Sequence, residues 1–101
     1  MIVIRAMLRV KPGKEDQAKA AFIAVMDGSQ AEPGCLVYTF TSDFKDPAVV
    51  HVNEVWATQE DLFTHFQGAA FANFNAVAGD IVDPIGMNAW SGDMADFAFP
   101  V

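Results

Sequence analysis

A carboxylate, an indole and an imidazole fall close together in the segment that runs from Glu54 through Trp56 to His65. Glu54 and Trp56 flank Val55, so on a strand they share one face. His65 comes nine residues after Trp56 on a stretch of helical spacing, and a strand-to-helix turn can fold it back over Glu54. A carboxylate that holds one imidazole nitrogen fixes the tautomer and leaves the other nitrogen free to take a proton. The pattern therefore offers His65 as a general base with Glu54 to orient it. The same pair can equally serve as a plain tie between helix and sheet.

The residues around this pair are aromatic. Tyr38, the only tyrosine, lies with Leu36 and Phe40 on one side of another strand, where its hydroxyl can meet a substrate oxygen or simply reach the core edge. Phe63, Phe66, Phe71 and Phe74 form a helical stripe, which is the usual mark of core packing. With Phe22, Trp56 and Trp90 they could wall an apolar cavity for a flat aromatic ligand. His51 and Asn53 project from the opposite face to Glu54, as groups of a subunit interface or, for His51, of an exposed strand.

These side chains must be positioned by a small set of elements. Residues 2–10 alternate, with Ile2, Ile4, Ala6, Leu8 and Val10 on one face, so they predict a strand. Lys11-Pro12-Gly13-Lys14 breaks it. Ala18, Ala21, Phe22, Val25 and Ser29 repeat at helical spacing over about 14–30, with acids leading. Glu32-Pro33-Gly34 stops this helix, and strands follow at 35–41 and 48–57 across a polar connection. Thr58 is a good N-cap, and Asp61 sits where it can return a hydrogen bond. The second helical region has Gly68 as a break and Gly79 as its end. Ile85–Ser91 is a weaker last strand. The order β-α-β-β-α-β is the split arrangement of the ferredoxin-like fold: a four-stranded antiparallel sheet, α+β, with helices on one face. The reading is one domain over residues 1–92 and an acidic, Phe-bearing tail over 93–101.

Bulk properties narrow the partners. Of the 101 residues, 52% are hydrophobic, more than so small a core hides well, so a second copy on the bare sheet face is expected, closing a dimeric barrel. All six Lys and Arg lie in residues 1–45, and residues 46–101 hold eight acids without one. Nucleic acid and anionic membranes are disfavoured as partners. Cys35 is alone, so no intrachain disulfide or Cys-based metal cage is expected, and the two histidines lack metal spacing. No nucleotide motif is present, and no cofactor is expected. Without a secretory or membrane-spanning stretch, the expected location is the cytoplasm.

Glu32-Pro33-Gly34-Cys35-Leu36-Val37-Tyr38 and the run Asn53-Glu54-Val55-Trp56 to His65 resemble the antibiotic biosynthesis monooxygenase family. Lys11-Pro12-Gly13 and Asp46-Pro47 fit the same pattern, and the resemblance covers residues 2–92. It implies a homodimer of ferredoxin-like subunits. Some enzymes of that family oxidise quinols or polycyclic phenols without metal or flavin, others degrade haem, and one group resembles an isomerase of a phosphorylated molecule. On that footing the expected reaction is oxygenation of a small quinol or phenol: His65 takes the phenolic proton, and the electron-rich phenolate reacts directly with dioxygen. Two departures stand out. Ala70 occupies the place of a second histidine that members often carry, and Asn75 falls near the haem-binding histidine of the degrading branch, which disfavours haem. The lack of Lys and Arg after residue 45 disfavours the isomerase. The alternatives are a non-catalytic small-molecule binder and an interaction module that docks Phe97 and Phe99 on a partner.

Overall fold

A computed structural model of the chain describes residues 1–100; the last residue of the predicted tail, Val101, lies outside the described residues. The elements are β1 (Ile2–Val10), α1 (Glu15–Gln30), β2 (Cys35–Ser42), β3 (Val49–Trp56), α2 (Gln59–Phe66), α3 (Ala69–Ile81) and β4 (Val82–Ser91). They form one antiparallel sheet in the order β2-β3-β1-β4. The helices cover one face of it. Buried Ile4, Val25, Tyr38, Trp56 and Leu62 make one core cluster, and Ala18, Phe22, Val50, Ile81 and Val82 make a second. Both follow from the inward alternation of the strands and the stripe of α1. No helix among the described residues is long and apolar enough to cross a membrane.

The predicted second helical region is two helices, parted at Gly68 as expected: Gln67 is the C-cap of α2, and Gly68 is the extended N-cap of α3. α3 does not stop at Gly79 but runs to Ile81 and passes straight into β4, which starts at Val82 rather than at the predicted Ile85. Lys11 explains the extension: its N–H donates to the Ile81 carbonyl and its Nζ to the Gly79 carbonyl at 2.6 Å. Thr58 caps α2, its Oγ1 accepting from the Asp61 N–H at 3.1 Å. The Asp61 carboxylate returns no bond to Thr58; it lies against Gly34, whose φ of +76° and missing Cβ let the turn pass.

Two departures in the strands matter for the site. Cys35 pairs with Trp56 and Val37 with Val55, so Leu36 is the extra residue of a β-bulge and points to solvent, not inward beside Tyr38 and Phe40. Trp90 pairs with Val3 on the sheet face away from the helices and is 52% exposed. It cannot line a pocket between sheet and helices, and that expectation is corrected.

Candidate functional site

The end of β3, the start of β2 and the short helix α2 meet at one imidazole. His65 is 1% exposed, and its Nδ1 lies 2.6 Å from Glu32 Oε1. The carboxylate that holds the histidine is therefore Glu32, from the turn before β2, and not Glu54. Glu54 instead accepts a hydrogen bond from Trp56 Nε1 at 3.0 Å. The β-strand geometry explains the exchange: with both on one face of β3, the indole N–H reaches back two residues to the carboxylate.

The second oxygen of Glu32 lies over Gly68, where a Cβ would come within 2.7 Å of it. A carboxylate there faces the N-terminal end of α3, a favourable place for negative charge. Aromatic rings enclose the imidazole. The Trp56 ring centroid is 4.7 Å from that of His65, Tyr38 and Phe71 are each at 5.3 Å, and Phe66 is at 5.8 Å. Phe66 is largely exposed and packs on Phe71, so these two rings form the outer cover.

Of the expected site residues, His65, Glu54, Trp56, Tyr38 and Phe71 come together. Phe22 and Phe74 belong to a neighbouring group around Phe40, with ring separations of 4.9 Å and 5.7 Å from it. Glu32 was absent from the expected set, although its Glu-Pro-Gly turn is the motif that places it beside α2.

Burial pushes the Tyr38 hydroxyl well above the ordinary phenol range, and the Glu54 carboxylate opposite it on β3 adds to the effect. The nearby Ser29 hydroxyl works the other way, but Ser29 Oγ is buried without a hydrogen bond of good geometry. Burial likewise raises the Cys35 thiol, reinforced by the charges of Glu32 and Glu54, which makes it a poor nucleophile. Glu54 itself is raised above the ordinary carboxylate value, chiefly by burial, with the Trp56 N–H and His65 pulling it back. A carboxyl raised on folding costs stability as pH climbs from its unfolded value through its folded one. Glu54→Gln is expected to keep the indole hydrogen bond and remove that cost. Urea unfolding from pH 4 upward should show the variant gaining on the parent as pH rises; parallel curves would contradict the assignment.

Ala70, which takes the place of the second histidine expected from the resemblance, is part-buried and borders the space between α1 and α3. Ala70 lies on α3 against Gly28 of α1, where a Cβ on Gly28 would stand 2.8 Å from the Ala70 Cβ. Asn75 is exposed on α3. Among the described residues, no group of three or more His, Cys, Asp or Glu side chains is disposed to hold a metal ion. His51 pairs with Asp43 at 2.9 Å, far along β3 from His65.

Two cavities stand out among the described residues, and neither is lined by His65. One, of about 530 Å³, lies between α1 and the ends of β2 and β3, with Phe22, Met26, Phe40 and Val50 in its wall. The other, of about 300 Å³, runs between α1 and α3.

The pattern of the family described as antibiotic biosynthesis monooxygenase matches residues 1–77. An uncharacterized protein of Synechocystis sp. is 31% identical over 81 residues, covering 80% of this chain. The chain spans 55% of that relative's length. Among solved structures, a candidate antibiotic biosynthesis monooxygenase from Deinococcus radiodurans superposes with a TM-score of 0.83 at 17% identity, over 98% of this chain and 99% of the other. One from Nitrosomonas europaea gives 0.83 at 22% identity, over 91% and 98%. At these identities the likeness is one of fold.

Proposed function

Because the chain belongs to the antibiotic biosynthesis monooxygenase family, we propose that it is a cofactor-independent oxygenase of a small phenol or quinol, working as a homodimer. The observation that carries the reading is the Glu32–His65 dyad inside an aromatic shell. With Nδ1–H donated to Glu32, Nε2 keeps its lone pair and serves as the base. An aromatic substrate takes the place of the Phe66 ring, the exposed part of the cover, and stacks near Trp56 and Phe71.

The chemistry balances without an added reductant. Nε2 takes the phenolic proton, and the phenolate passes one electron to dioxygen. The two radicals join at a ring carbon to give a peroxide. Its O–O bond then breaks as the ring C–H proton passes to the outer oxygen, which departs as hydroxide. One oxygen stays as a carbonyl, and the departing hydroxide takes the proton back from His65 as water. A phenol and dioxygen thus become a quinone and water.

The test is turnover of 1-naphthol or a similar phenol under ¹⁸O₂. One labelled oxygen in the quinone and one in water supports the reading; an unlabelled quinone, or no turnover across a panel of phenols and quinols, overturns it. The near-complete burial of His65 favours a second reading, in which the dyad is a tie and the protein binds an aromatic molecule without reaction. Thermal stabilisation by those phenols with no oxygen uptake is its signature.

A further inference from the structure

The larger cavity takes no part in the dyad, and the C-terminal tail carries exposed large apolar side chains. Phe97 and Phe99 are 75% and 74% exposed, their rings packed edge to face only on each other at 5.2 Å. We propose that the cavity between α1 and the ends of β2 and β3 receives the tail of a second copy, with Phe97 and Phe99 seated against Phe22, Ile23, Met26 and Phe40.

Three observations carry this. The first is chemical fit: the cavity wall is aromatic and aliphatic, and two adjacent rings on a short segment are the shape that fills it. The second is charge. Lys19 lines the cavity and, among the described residues, is in no ion pair. The tail brings Asp93 and Asp96 and no positive side chain. Glu15 is the one acid in the wall, and its Oε1 accepts from the Gly13 N–H at 3.3 Å.

The third is reach, which assigns the tail to another copy. The tail leaves where Gly92 N–H bonds the Met1 carbonyl, whereas the cavity lies at Val10, the far end of β1. Those ends are roughly 30 Å apart along the strand. Phe97 is five residues beyond Gly92, a span of about 17 Å at full extension. β4 is also the opposite edge of the sheet from β2. A chain cannot seat Phe97 in its own cavity.

The experiment mixes two full-length variants, Ile23→Cys and Ala98→Cys, both at exposed positions, under air oxidation, with the parent chain as the control for Cys35. The expected product is a disulfide between the two variants, in excess of either variant with itself. Adding Phe97→Ala and Phe99→Ala to the tail should cut its yield by about tenfold or more, as for loss of buried anchors. A statistical mixture of disulfides, a dominant tail-to-tail product, or a yield unchanged by the two alanines overturns the proposal. In the last case some other molecule, such as a small aromatic ligand, is the occupant.

Discussion

With glutamine in place of His65, oxygen uptake on a phenolic substrate is expected to fall by about 10²–10⁴-fold, the usual worth of a positioned base. Glutamine fills similar space and can still hydrogen-bond Glu32, but it cannot accept the proton. Glu32→Gln leaves the imidazole in place with a weaker hold on its tautomer, and about a 10–100-fold loss is expected, as for other partners that orient a histidine. Glu54→Gln should lose less than Glu32→Gln, because Glu54 bonds the indole and not the imidazole. Circular dichroism and thermal unfolding of each variant separate lost chemistry from lost structure. Full turnover in a folded His65→Gln chain would remove the base from the mechanism.

Trp56→Ala is expected to be the most damaging single change to stability. The indole is 0% exposed, the largest of the fully buried side chains, and it packs on both the imidazole and Tyr38. Truncating such a ring costs about 3–5 kcal/mol. It also strips the half-buried Glu54 carboxylate of its N–H donor, a further penalty of about 1–3 kcal/mol. Against a typical total of about 5–15 kcal/mol for a domain, that is a large share. Urea unfolding monitored by circular dichroism would show it; a loss below about 1 kcal/mol, under the usual cost of burying such a ring, would mean the ring is not a keystone of the core.

The fold was largely legible because its strands and helices carry their periods openly. β1 and the stripe of α1 alternate or repeat as the sheet and helix require, and Thr58 announces α2. What stayed hidden were effects of register and of distant pairing. The bulge at Leu36 inserts one residue into β2, and nothing in the run Cys35-Leu36-Val37-Tyr38 marks where the extra residue goes. Trp90 has the composition of a pocket residue, yet strand parity alone decides its face, and the β4 register was set by tertiary pairing. For the dyad, His65 was visible as a candidate, but proximity along the chain pointed to Glu54. Glu32 is 33 positions away and meets His65 only because the turn before β2 folds against α2.

That turn has a wider consequence. α2 is only eight residues long, too short to hold itself together in water. Gly34 meets its first turn through Asp61, while Glu32 meets its last through His65. One three-residue corner thus grips both extremities of a helix it is not part of. Such a helix is held at both extremities, so the imidazole is uncovered by swinging the Phe66 ring aside rather than by unravelling the backbone.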